Sequence, residues 1–240
     1  MPNQPMPAAL ARPPAAPRMV AISGIIFSLL FIVCLVLIRL AVPADPTDPG
    51  EWVADAGFRN WVRVALNLIP FAGIAFLWFM AVLRDRVGLL EDRFFATVFL
   101  GSGLLLTAML FATGAVAGAT MESLAVDGRP SAQNATFGFG RRLCYALMNI
   151  YLIKMAAVFM FVTSSIGLRT TVLPRWLAFV GFAVGLTLLL AITDFAWIAL
   201  LFPLWVLLVS AYLLAVELGQ RRQMDTGSMK GAERETAKGH

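Results

Sequence analysis

Apolar residues fill six long runs of this chain, about 19–42, 61–83, 94–118, 143–168, 176–192 and 195–217, and short polar breaks separate them. Each run is about 17 to 25 residues, the length an α-helix needs to cross roughly 30 Å of hydrocarbon at 1.5 Å per residue. Backbone groups find no water in such a layer, so segments of this length are helical if they span it. The pattern predicts an all-α, polytopic transmembrane helical bundle of six spans. It divides the chain into a disordered N-terminal tail (1–18), the six-helix transmembrane domain (19–218) and a disordered C-terminal tail (219–240). The first run is too long for the 7–15-residue apolar core of a signal peptide, and Pro43 interrupts the small-residue cleavage pattern, so it reads as a retained helix.

Composition agrees: 60% of residues are hydrophobic and 14% charged, against about 45–50% and 25% in soluble domains. The net charge of +5 changes the picture only through its placement. Lys and Arg flank the runs as anchors, without the aromatic-interleaved basic patch of a nucleic-acid binder. Arg12, Arg18, Arg84, Arg86, Arg93, Arg169, Arg175, Arg221, Arg222, Lys230, Arg234 and Lys238 all fall on one side. The other side has Arg59, Arg63, Arg129, Arg141 and Arg142, mixed with Asp45, Asp48, Glu51, Asp55, Glu122, Asp127 and Asp194. The positive-inside bias therefore puts both termini in the cytoplasm of a multi-pass cell-membrane protein.

Lys154 is the polar residue that stands out. It lies about twelve residues after Arg142 and fifteen before Arg169, or roughly 18 and 22 Å along a helix, near the midplane. A lysine there costs about 2.5–3.5 kcal/mol on insertion scales, so its amine must find a partner, find water or lose its proton. Tyr151, Thr107 and Thr187 are candidate partners. So are the carbonyls of Leu66 and Ala199, each freed by a proline four residues on, Pro70 and Pro203. Lys154 reads either as a buried cation for an anionic ligand or as a packing lysine that binds nothing.

A second cluster gathers at the outer face: Arg39, Arg63 with Asn67 four residues on, Arg141, Arg142, Asn149 and Asp194. Arginine forks match carboxylate and phosphate geometry, so these residues form either an outer approach for an anion or an interfacial ring meeting headgroups. Two GxxxG patterns, Gly114/Gly118 and Gly181/Gly185, predict close helix approach within the bundle or between protomers. Cys34 and Cys144 fall inside runs and read as small apolar residues.

What is missing excludes much. The one histidine is His240 at the polar end, and no HExxH, GxSxG or GxxxxGK[ST] occurs. Haem ligation by paired histidines, a His-containing zinc site and Ser–His catalysis within the membrane are excluded. No metal, cofactor or enzymatic activity is expected. The stretch 84–103, RDRVGLLEDRFFATVFLGSG, resembles a segment of uncharacterised bacterial multi-span membrane proteins. The resemblance implies a small helical membrane domain and assigns no functional residue.

Two expectations follow. One is a non-enzymatic protein that binds or moves a small anionic or amphipathic solute, with Lys154 and Tyr151 at the pocket and Arg63, Asn67, Arg142 and Asn149 at its approach. The other is a structural or accessory subunit, self-associating or docking a membrane partner on the glycine faces. The lipid bilayer is a partner in either case.

Overall fold

The structure is a computed structural model. It describes residues 17–41, 56–87, 93–127, 135–170, 173–190, 197–216 and 218–219. Among the described residues there are six long helices: α1 (Pro17–Ala41), α2 (Ala56–Val87), α3 (Arg93–Asp127), α4 (Ala135–Thr170), α5 (Arg175–Leu190) and α6 (Ile198–Val216). Five are long and apolar enough to cross a membrane, while α5, at 16 residues, is shorter. At 1.5 Å per residue α5 measures about 24 Å, less than a hydrocarbon layer of roughly 30 Å. Residues 17, 18 and 219, expected in the tails, are helical; the rest of both tails, most of the acidic loop residues and Asp194 lie outside the described residues.

The runs are apolar all round, so packing sorts their faces by size and polarity. On α3 the buried positions Phe99, Gly103, Leu106, Leu110, Thr113, Ala117 and Thr120 recur every three or four residues, the period of one helix face. Leu100, Leu104, Leu105 and Phe111 point outward, as residues solvated by lipid tails do. Lipid is as apolar as leucine, so helices associate through close packing, and small residues go inside. Buried hydroxyls bond back to their own helix: Ser28 to the Gly24 carbonyl (2.7 Å), Thr107 to Gly103 (2.9 Å) and Thr113 to Met109 (2.7 Å).

The middle of the bundle is solid phenylalanine. Phe27 (α1), Phe76 (α2), Phe99 (α3), Phe159 (α4) and Phe202 (α6) are buried and in ring contact. Centroids lie 4.6 Å apart for Phe27–Phe76, 5.1 Å for Phe76–Phe159, 5.0 Å for Phe99–Phe159 and 6.2 Å for Phe159–Phe202. Tilted and edge-on pairs at this spacing add about 0.5–1.5 kcal/mol each beyond area burial.

The cysteines are free and buried. Cys34 donates to the Ala65 carbonyl (3.8 Å) and Cys144 to the Thr113 carbonyl (3.9 Å), tying α1 to α2 and α4 to α3. Thiol reactivity needs an accessible thiolate. A maleimide should therefore leave both thiols unmodified in the folded protein and add two labels once it unfolds, as read by intact mass.

Candidate functional site

Lys154 sits half-buried on α4 and donates from Nζ to the carbonyls of Leu188 (3.1 Å) and Leu189. Both belong to the last turn of α5, where the final four carbonyls have no partner within the helix. The charge also meets the negative end of the helix dipole. The expected end of this run, Ile192, lies outside the described residues. Of the other expected partners, Thr187 donates to the Ala183 carbonyl (2.9 Å) and Thr107 to Gly103. Tyr151 is 55% exposed, on the outside of the bundle.

The outer cluster divides. On α2 the exposed positions Arg63, Asn67, Phe71, Ile74 and Trp78 form one continuous stripe, so Arg63 and Asn67 lie on the lipid-facing side. The Asn67 amide donates to the Arg63 carbonyl of its own helix (2.8 Å). Arg142 is exposed on α4. Among the described residues, Asn149 is the one of these four whose side chain bonds another helix.

That contact is with Arg39. At the end of α1 the Arg39 guanidinium donates from Nη2 to Asn149 Oδ1 (2.9 Å) and stands 5.3 Å from the centre of the Tyr145 ring. Arg39, Arg141, Tyr145 and Asn149 are all half-buried. Arg141, Tyr145 and Asn149 follow at i, i+4 and i+8 on α4, a spacing that shares one face. Within α4, residues Leu147–Leu152 form a π turn. Such turns admit an extra residue and recur at functional sites, and here the turn carries Asn149. Among the described residues no carboxylate pairs with Arg39; the Asn149 amide and the Tyr145 side chain, which offers both its ring face and its hydroxyl, are neutral.

Tyr145 escaped the sequence reading, although its i+4 spacing from Arg141 and to Asn149 was visible. Arg39 was placed in the outer cluster, but nothing in the sequence paired it with α4 across 110 positions.

Both GxxxG faces are occupied from within. A Cβ at Gly114 would meet Ile69 Cδ1 of α2 at 2.5 Å, and one at Gly118 would reach Leu66 at 3.6 Å. A Cβ at Gly181 would strike the Ser164 hydroxyl and approach Trp205 at 2.9 Å, and Gly185 lies against the Ala157 carbonyl at 3.4 Å. The docking faces expected for a partner are therefore taken up by α2, α4 and α6. The described residues hold no group of three or more His, Cys, Asp or Glu side chains that could bind a metal.

Fold and site together define a helical membrane bundle with a half-buried arginine held at one end by neutral partners. No protein-family model, curated protein or solved structure matches the chain. The resemblance carried by 84–103 rests on those residues alone.

Proposed function

We propose that this chain is a non-catalytic, six-span cell-membrane protein with both termini cytoplasmic that binds a small anionic or amphipathic solute at its outer end. One observation carries this reading: the Arg39 guanidinium stands half-buried between α1 and α4, and among the described residues the Asn149 amide oxygen and the Tyr145 side chain meet it, with no carboxylate. A charge with no counter-charge among the described residues, in a region of low dielectric, costs free energy that an incoming anion recovers. Its five N–H donors in a planar fork suit an oxyanion.

Lys154 supports the reading less well, because two helix-end carbonyls already engage its amine. The packed phenylalanine core argues for a site at one end of the bundle over a path through its centre. The six-span layout rests on the six apolar runs, and its orientation on the twelve-against-five distribution of Lys and Arg given above.

Thermal unfolding of purified protein against soluble anions and fatty acids tests the site. A ligand at a hundred times its Kd stabilises by about 2.7 kcal/mol. Wild type should gain that midpoint shift, and Arg39→Gln should lose it while keeping its fold. Equal shifts in both proteins would remove Arg39 from the site.

A further inference from the structure

We propose that the anion held at Arg39 is the phosphate of an anionic glycerophospholipid, seated from the outer leaflet. This rests on the anion-binding reading above and names its ligand class. Three observations point to it.

The first is depth. Asn149 lies 20 residues before Arg169 on α4 (169 minus 149), about 30 Å along the helix. That equals the thickness of a hydrocarbon layer, so with Arg169, its guanidinium 4.4 Å over the Phe95 ring, taken as one edge, Asn149 falls at the other, which moves Lys154 from the midplane toward that edge. Arg39, bonded to Asn149, therefore stands at the level where lipid phosphates lie.

The second is donor chemistry. Asn149 Oδ1 is taken by Arg39, which leaves its Nδ2 with two N–H groups to give. Arg141, one turn before Tyr145 on the same face, adds a second fork. A phosphodiester offers two anionic oxygens that only accept, and these groups donate. Arginine–phosphate pairing is the stronger, frequently bidentate kind of hydrogen bond.

The third is what lies beneath the cation. Val36 and Ile32 precede Arg39 by three and seven residues on the same face of α1, and both are only half-buried. They form an apolar ladder leading from the guanidinium into the hydrocarbon layer. A soluble phosphate has no use for such a ladder; an acyl chain does. Arg63 has the same charge at the same end but sits on the lipid-facing stripe of α2, with no side chain from another helix described at it. It serves as the control for ordinary interfacial arginines.

The test uses the full chain in detergent, with phosphatidylglycerol as probe and phosphatidylcholine, glycerol phosphate and inorganic phosphate beside it. Native mass spectrometry counts retained lipid, and thermal unfolding reports the stabilising effect. Wild type and Arg63→Gln should retain phosphatidylglycerol equally. Arg39→Gln should bind it at least ten-fold more weakly. Asn149→Asp should do the same by setting a carboxylate against Arg39, and it keeps the α1–α4 contact as an ion pair, so its midpoint stays at or above wild type. That variant keeps the test decisive should Arg39→Gln unfold.

Equal retention in Asn149→Asp and wild type, or equal retention of phosphatidylcholine and phosphatidylglycerol, overturns the lipid site. Stabilisation by inorganic or glycerol phosphate that depends on Arg39, with none from the lipid, overturns this inference and leaves the anion-binding function standing. An absence of response to every probe overturns both.

Discussion

Lys154→Met should lower the thermal midpoint of the protein, by an amount equivalent to about 1.5–3 kcal/mol. The substitution keeps the length of the side chain and removes the donor that the Leu188 and Leu189 carbonyls share. Hydrogen bonds from charged groups contribute about 1.5–3 kcal/mol, and stranding a buried acceptor costs about 1–3. Without Nζ the Leu188 and Leu189 carbonyls lose the partner that Lys154 gives them, where lipid supplies none. A lysine that merely endured burial would behave the opposite way, since replacing a buried charge with an apolar side chain is often neutral or stabilising. Equilibrium or thermal unfolding of wild type, Lys154→Met and Lys154→Gln in one detergent separates the two. Glutamine retains donors on a shorter stem and should fall between. A methionine variant as stable as wild type would refute the capping role.

The larger loss should come from the glycine contacts. Gly181→Leu should abolish a monodisperse folded species, and Gly181→Ala should cost about 1–3 kcal/mol as an overpacked core does. The space at Gly181 is filled by the Ser164 hydroxyl and the Trp205 indole, which donates to the Leu177 carbonyl at 3.5 Å. Gly24 faces an equivalent wall, with Phe79 at 2.8 Å from where a Cβ would stand and the Ser210 hydroxyl closer still. Ser164 and Ser210 oxygens are themselves buried without a hydrogen-bond partner among the described residues. They occupy room that the glycines leave.

Gly101→Ala supplies the control, since nothing lies within 4 Å of its Cβ position. It should be neutral or stabilise by about 0.5–1 kcal/mol, the helical penalty of glycine. Size-exclusion profiles and unfolding midpoints of the three variants decide the matter. A Gly181→Leu protein that kept its midpoint but changed its oligomeric state would turn that face into a partner contact and revive the accessory-subunit reading.

These two outcomes also show where sequence reading reached and where it stopped. The helical membrane class was legible because the constraint behind it is local: a long apolar run with no water for its backbone has to be helical. The glycine pairs were legible as packing faces for a similar reason, since only a missing side chain lets two backbones approach. Which helix each face met was not, because near-uniformly apolar helices carry little pattern to distinguish one neighbour from another.

Lys154 illustrates the limit most sharply. Its cost in an apolar layer follows from its position in the run, so the need for a partner was evident from the sequence. The partner itself is the pair of α5 carbonyls at Leu188 and Leu189, 34 and 35 residues away, which no charge or motif marks. Arg39 is the converse case. It closes an apolar run as interfacial arginines commonly do, and nothing local distinguishes it from Arg63. Only the tertiary approach of α1 to the π turn of α4 gives it Asn149 and Tyr145 and leaves Arg63 on the lipid-facing stripe.

The sequence alone determined the helices, their membrane character and the existence of one costly cation within them, because each follows from backbone hydrogen bonding and from the price of charge in hydrocarbon. The tertiary structure decided that this cation caps a helix and that a second one, at the bundle end, lacks a counter-charge among the described residues. Burial and pairing belong to side chains far apart in sequence, and only packing brings those together.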